Sequence, residues 1–244
     1  MKDKYREQWE NLGNHDPYWA VLTNPDKRGG KWNSAEFFST GEKEMENVLR
    51  KISKLGSEIN RGIALDFGCG VGRISRALAN EFRKVIAVDI SSSMLKEAQR
   101  VNHDIINIEF IHNTAEDLII IPENSIDFLY SNIVLQHMPK NRQIIYIRQF
   151  CNVLASGGIL AIQTPSKCNL ISWKGWLYFV MGNNILNIIR RFKYGPAGVM
   201  EVHTLSKEVV IETLKHEDMD IIHVERYDSA GPAFESYMYF AKKR

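Results

Sequence analysis

The sequence is poor in cysteine and contains no long hydrophobic run. Its three cysteines, Cys69, Cys151 and Cys168, lack CxxC spacing, so the pattern predicts neither a disulfide framework nor a zinc site. This cysteine usage is typical of a reducing compartment, and we expect a cytoplasmic protein. The charged N-terminus lacks the apolar core of a signal peptide, and no run of about 18 apolar residues predicts a membrane span.

An excess of charge of either sign is also absent. The chain has 31 basic and 29 acidic residues, for a formal net charge of +2. This balance argues against a nucleic-acid surface or an acidic partner. Nor do metal-ligating residues cluster along the chain, which disfavours a metal-dependent enzyme.

Strand-like and helix-like segments alternate along most of the 244 residues. We predict a helical cap over residues 1–58 and a second domain over 59–244. Within the cap, a capping box at Ser39 and Glu42 predicts the start of a helix that runs to about Leu55. Near-continuous apolar strands are typical of a parallel sheet covered on both faces. These strands are predicted at 62–67, 84–89, 107–112, 125–131 and 158–164.

The end of the sequence breaks this alternation. The segments 220–227 and 235–243 are joined by a turn too short for a crossover, so they predict an antiparallel hairpin. The predicted fold is α/β, a doubly wound seven-stranded sheet that is mostly parallel with an antiparallel last strand.

Three glycines at alternate positions, Gly68, Gly70 and Gly72, follow the first predicted strand. Dinucleotide-binding folds require GxGxxG, and Arg73 stands where the third glycine of that pattern belongs. Asp66, just before the loop, is unfavourable for phosphates but suits an ammonium group. The loop therefore indicates a ligand with an amino-acid end.

The second predicted strand ends at a carboxylate, Asp89. A carboxylate at a strand end can accept hydrogen bonds from both hydroxyls of a ribose. Ile90 and Met94 follow it and suit packing on a purine. S-adenosylmethionine combines an amino-acid end, a ribose and a base.

Four stretches of the sequence carry a family resemblance: "LDFGCGVGR", "VIAVDISSSMLKEAQ", "FIHNTAEDLIIIPENSIDFLYSNIVLQHMP" and "VLASGGILAIQTP". In this order and spacing, over residues 60–165, the chain resembles the class I S-adenosylmethionine-dependent methyltransferases. The resemblance implies that S-adenosylmethionine is the cofactor and that the segment after the third strand meets the adenine. Many relatives read Gly-Asp-Ala there, whereas this chain reads Asn-Thr-Ala, so Glu116 would share the adenine contact. The residues predicted to bind the cofactor are Asp66, Gly68, Gly70, Asp89, Ile90, Met94, Thr114, Ala115, Glu116 and Asn132.

Methyl transfer requires a general base only where the accepting atom must lose a proton early. His137, just after the fourth strand, and His203 are the two candidates for this role or for contact with the acceptor. The alternative for each is a buried histidine with structural partners. Cys69 lies in the glycine loop and is interpreted as a small tolerated residue rather than a nucleophile.

A long aromatic insertion, predicted at about 165–203, interrupts the alternation. The interpretation favoured by its position is a lid that walls an apolar acceptor pocket. A dimer interface and a membrane-surface element, with Arg190, Arg191 and Lys193 near lipid phosphates, are the alternatives. The sequence therefore predicts methyl transfer to oxygen or nitrogen of a small molecule, with a homodimer as an option. A cofactor-binding protein without catalysis, and an enzyme acting on a lipid or macromolecule, remain the alternatives.

Overall fold

The computed structural model describes residues 4–194 and 200–244. The chain forms two compact units, Met1–Thr114 and Ala115–Arg244. Each unit contributes strands to the sheet, and each is described separately below.

The first unit contains three parallel strands, β1 (Ile63–Phe67), β2 (Lys84–Asp89) and β3 (Ile108–His112). β2 pairs with both of the others, in a register that aligns Asp66 with Ala87 and Asp89 with His112. β1 and β2 are almost wholly buried, as their apolar sequences require. Each of these two strands has an aspartate at or next to its last residue, Asp66 in β1 and Asp89 in β2.

Five helices accompany these strands in the described part of the first unit. They are α1 (Lys4–His15), α2 (Pro17–Val21), α3 (Ser34–Lys54), α4 (Arg73–Ala79) and α5 (Ser92–Val101). α3 lies against α4 at Gly41, where a Cβ would come within 2.4 Å of the Arg73 carbonyl oxygen. A glycine is therefore required where the two helices meet.

The predicted start of α3 is wrong. The helix begins at Ser34, because the Asn33 side chain accepts a hydrogen bond from the Glu36 backbone N–H and caps it. Ser39 lies inside the helix and donates to the carbonyl oxygen of Glu36 instead. A Ser-x-x-Glu spacing within a helix thus imitated a capping box.

The second unit contains β4 (Ile126–Ser131), α6 (Lys140–Val153), β5 (Leu154–Cys168) and α7 (Trp173–Tyr194), then α8 (Lys207–His216), β6 (Met219–Arg226) and β7 (Phe234–Lys243). β4 and β5 are parallel, whereas β7 is antiparallel to both β5 and β6. β5 is longer than predicted, because its end at Cys168 still pairs with Phe234 of β7.

Among the described residues the seven strands follow the order β3-β2-β1-β4-β5-β7-β6. The prediction of a seven-stranded, mostly parallel sheet with an antiparallel last strand is confirmed. No helix in the described ranges is both long and apolar enough to cross a membrane.

Candidate functional site

The glycine loop of the first unit has left-handed backbone at all three glycines. Their φ angles are 78° at Gly68, 53° at Gly70 and 79° at Gly72, a region that side chains disfavour. A Cβ at Gly70 would also lie 2.6 Å from the Val21 side chain, so the end of α2 packs directly on the loop. Glycine is needed here for conformation and for close approach.

Asp89 joins the end of β2 to this loop. One carboxylate oxygen accepts the Gly70 N–H at 2.8 Å, and the other accepts the Ser91 N–H at 2.9 Å. Burial raises the pKa of Asp89, and these backbone donors only partly offset that effect. A carboxylate has about four lone-pair sites and the backbone N–H groups of Gly70, Ser91 and Ile90 act on it, so it remains able to accept from a ribose hydroxyl.

Asp66 is a buried carboxylate on β1, with only 3% of its surface exposed. Burial raises its pKa to about 7, although the Ser75 hydroxyl donates to it at 2.6 Å and the charge of Arg73 acts in the opposite direction. A cation brought close to such a group stabilises its ionised form. The residue therefore suits an ammonium-bearing ligand.

Ile90 and Met94 occupy different environments beyond β2. Met94 is buried in the first turn of α5, and its backbone N–H donates to the Ser91 hydroxyl at 3.2 Å. Ile90 is half-buried, and its carbonyl oxygen accepts from His112 Nε2 at 3.0 Å. The packing of these two residues on a purine stays a prediction.

Glu10 of α1 is a residue that sequence reasoning missed. Its two carboxylate oxygens accept the backbone N–H groups of Ser92 at 2.7 Å and Ser93 at 2.9 Å, at the N-terminus of α5. Burial alone would raise its pKa, but these donors and the serine hydroxyls lower it to about 2. Three consecutive serines signalled a helix start, yet nothing local identified a partner some 80 residues away.

A cavity of about 520 Å³ lies beside this cap in the first unit. Its lining comes from α1, the first turn of α5 and the end of β3: Arg6, Glu7, Glu10, Asn11, Ser92 and His112. α1 thus contributes both the cap of α5 and much of the wall of this cavity.

The predicted adenine segment crosses the boundary between the two units. Thr114, the last residue of the first unit, is exposed. In the second unit the Ala115 carbonyl oxygen accepts from the Tyr146 hydroxyl at 3.1 Å, and Glu116 forms an ion pair with Arg142. A ligand contact by Glu116 would therefore compete with Arg142.

Asn132 and His137 follow β4 in the second unit, and both have protein partners. The Asn132 Oδ1 accepts from the Ser229 hydroxyl at 2.9 Å. His137 is buried; its Nδ1 lies 2.7 Å from the Glu201 carbonyl oxygen and its Nε2 lies 3.3 Å from Gln136 Nε2. Because a carbonyl oxygen only accepts, Nδ1 carries the proton and Nε2 accepts from the amide. These contacts match the structural alternative for His137.

His203 forms a pair with a carboxylate that sequence reasoning also missed. Its Nε2 lies 3.3 Å from Glu201 Oε2, and the side chain of Glu201 is only 9% exposed, against 25% for His203. Since a carboxylate accepts, Nε2 carries the proton and Nδ1 is the nitrogen that can accept another. This arrangement of carboxylate, imidazole and accepting nitrogen is suited to a general base.

The segment 201–203 is held in place by neighbouring amides. Asn183 of α7 donates to the Val202 carbonyl at 2.8 Å and accepts its N–H at 3.2 Å. The His203 N–H donates to the Gln136 carbonyl oxygen at 2.7 Å. These contacts bring His137, Glu201 and His203 together within the second unit. Among the described residues, no group of three His, Cys, Asp or Glu side chains could hold a metal ion.

The sheet order and the glycine loop followed by a strand-end carboxylate define the class I methyltransferase fold. A solved structure with this fold, magnesium protoporphyrin IX methyltransferase from Synechocystis with bound S-adenosylhomocysteine, superposes with a TM-score of 0.65 over 100% of both chains at 17% identity. Residues 64–158 match the sequence model of the family described as "Methyltransferase domain". Residues 64–158 are thus similar to this methyltransferase domain, and the described fold is that of the S-adenosylmethionine-dependent methyltransferases.

Two curated relatives align with this region. The chain is 29% identical over 138 residues to trans-aconitate 2-methyltransferase of Methylobacterium radiotolerans, covering 56% of this chain and 50% of that protein. It is 33% identical over 115 residues to demethylmenaquinone methyltransferase of Listeria monocytogenes, covering 45% and 47%. The chain therefore matches only about half the length of these relatives.

Proposed function

We propose that this protein transfers a methyl group from S-adenosylmethionine to an oxygen or nitrogen of a small-molecule acceptor. The observation that carries the proposal is the left-handed glycine loop fastened to Asp89 by the Gly70 N–H. That contact fixes an ionisable acceptor beside a loop that admits a ligand closely.

The carboxylates of the first unit fit the cofactor chemically. Asp89 has lone pairs left for the ribose hydroxyls, and Asp66 would gain a cationic partner in the ligand's ammonium group. When bound, S-adenosylmethionine supplies a methyl group already activated by its sulfonium. What remains for the protein is to align the acceptor, exclude water and, for a hydroxyl, remove a proton.

In the second unit, His203 is our candidate for that proton acceptor. Glu201 fixes the Nε2–H tautomer and stabilises the imidazolium that forms when Nδ1 accepts a proton. Glu201 acts through His203 and is therefore a positioning residue. We propose His137 as part of the scaffold that holds Glu201, since both of its nitrogens have partners.

The acceptor class is supported by the relatives' names, which specify trans-aconitate and demethylmenaquinone. Both names are of small molecules, so the acceptor is proposed only at the level of that class, and the choice of oxygen or nitrogen does not rest on these names. Two alternatives remain for the following experiment to test. The first is a lipid or macromolecular acceptor, and the second is cofactor binding without turnover.

We would incubate the purified chain with S-adenosylmethionine labelled in its methyl group and a panel of metabolites, lipids and macromolecules. His203→Gln should lower kcat by about 10²-fold or more, the range for loss of a general base, and Glu201→Gln should lower kcat less while shifting its pH profile. S-adenosylhomocysteine should bind both variants as it binds the parent chain. His216→Gln, an exposed histidine at the end of α8, is the matched control.

Labelled product on a small molecule supports the proposal. Cofactor binding with no labelled product would assign a binding role instead, and unchanged kcat in His203→Gln would remove the proposed base.

A further inference from the structure

The first half of α7 exposes an apolar face. Trp173, Trp176 and Val180 are 70%, 56% and 57% exposed and lie at positions i, i+3 and i+7, on one side of the helix. Phe179 flanks them at 67% exposure. Exposed aromatic side chains in such a row mark an interaction surface rather than isolated surface residues.

The opposite side of this helix faces the rest of the second unit. A Cβ at Gly175 would lie 2.0 Å from the Asn169 carbonyl oxygen and 2.7 Å from that of Ala233. Tyr178 packs edge-on against Phe234, with 4.7 Å between the ring centroids. The helix is thus fixed by its inner side, and its aromatic face is held outward.

The second half of α7, beyond the non-helical Gly182, also exposes a row of apolar side chains. Ile185, Ile188 and Phe192 are exposed, again at i, i+3 and i+7. The side chains turned inward include the polar Asn183 and Asn187, which bond to Val202 and Glu201. A helix that directs amides inward and apolar side chains outward is suited to an apolar medium outside it.

The charge of this segment points to the nature of that medium. Residues 168–200 contain four basic residues and no acidic one, whereas acidic residues slightly outnumber basic ones in the rest of the chain. The basic residues are Lys174, Arg190, Arg191 and Lys193. Two copies meeting through this surface would bring like charges together, but an anionic lipid surface would neutralise them.

We propose that the outward face of α7 binds the surface of an anionic membrane, with the helix lying along the interface. The exposed tryptophans and isoleucines would enter the boundary between headgroups and acyl chains, and the exposed Lys174 would lie near the lipid phosphates. The lid stays a prediction; it would involve the inner side of α7, where Asn183 bonds to Val202, and not the outward face.

The test is flotation of the full chain with vesicles of phosphatidylcholine alone or mixed with phosphatidylglycerol, at low and high salt. The chain should float with the mixed vesicles, and less so at high salt because screening weakens the attraction. The double variant Trp173→Ser, Trp176→Ser should lower the bound fraction about tenfold or more. Lys174→Glu should lower it about fivefold on mixed vesicles only.

Matched controls remove equivalent groups elsewhere. Ile106→Ser with Ile119→Ser deletes two apolar side chains that are 98% and 85% exposed, and Lys43→Glu reverses an exposed charge on α3. Both controls should float as the parent chain does, and circular dichroism should show the same fold in every variant.

Three outcomes would overturn the proposal: a parent chain that stays with the aqueous phase, a tryptophan variant that floats normally, or a dimeric parent that this variant converts to monomer. The last would identify the face as a contact between copies. None of these measurements depends on methyl transfer, so the proposal is tested independently of the proposed function.

Discussion

At the scale of the residue, Asp66 is a carboxylate that the fold removes from water before any ligand neutralises it. Its pKa is about 7 in the folded chain, against an ordinary value of 3.8. Between these values the unfolded chain has lost the proton and the folded chain retains it. Stability therefore falls as pH rises through this window, and the full cost applies above pH 7.

Asp66→Asn should remove this cost while keeping an oxygen to accept from Ser75. Without ligand, we expect this variant to be more stable than the parent at pH 8, by about 1–4 kcal/mol, and equally stable below about pH 4. Denaturant unfolding at both values measures this. The same variant should bind S-adenosylhomocysteine more weakly, since the ammonium group loses its partner.

A variant less stable than the parent at pH 8 would show that the Asp66 carboxylate is favourably paired. Arg73, whose charge lowers the pKa of Asp66, would be the partner to examine.

Individual residues show how far the sequence could predict the site. The sequence could predict a role for Asp66, Asp89 and the glycines, because their chemistry follows from position at a strand end or in a tight loop. Glu10 and Glu201 were not, because each acts on a group brought near by tertiary folding. A lone glutamate on a helix or before a histidine carries no local signal of such a role.

At the scale of the element, α1 docks on the start of α5 through the Glu10 carboxylate and through serine hydroxyls that donate to the Trp9 and Glu10 carbonyl oxygens. Glu10 neutralises N–H groups that the start of α5 leaves without helical partners, and the helix dipole adds to the attraction. Its pKa of about 2 lies below the ordinary 4.5, so this stabilisation is complete above about pH 4.5 and is lost as pH falls towards 2.

Glu10→Gln should therefore destabilise the chain by about 0.5–2 kcal/mol at pH 7, the range for loss of a helix cap. Hydrogen exchange should become faster in α1 and in the first turn of α5, because their contact is weakened. Glu42→Gln, an exposed glutamate on α3, should leave exchange unchanged. Equal exchange in the Glu10 variant and the parent would mean that the other contacts of α1 dock it without this carboxylate.

Elements were predictable where local signals agree. The bounds of β2 match those predicted, since an apolar run between charged residues is a local signal. α3 was misplaced because Asn33 was overlooked as a cap. For α7 the sequence left a lid, a dimer interface and a membrane-surface element as alternatives, because hydrophobic periodicity does not say whether a stripe meets protein or solvent.

At the scale of the whole molecule, the first unit discriminates between two nucleotide cofactors. Arg73, in place of a third glycine, is buried and paired with Glu44 at 2.8 Å, so its guanidinium is already engaged. Asp66 lies just before the loop and is unfavourable for a pyrophosphate but suits an ammonium group, whereas Asp89 suits the ribose of either cofactor. The fold should therefore accept S-adenosylhomocysteine and reject nicotinamide dinucleotides.

A ligand that binds only the folded chain stabilises it by about 2.7 kcal/mol at a concentration of 100 times its Kd. For a chain of this size, that corresponds to a rise in Tm of roughly 5–10 °C. We expect this rise with S-adenosylhomocysteine and none with NADH in a thermal unfolding experiment. Asp89→Ala is the matched variant: it should reduce the rise, because the ribose loses its acceptor. A rise with NADH and none with S-adenosylhomocysteine would contradict the reading of Asp66 and Asp89 as ligand-binding carboxylates.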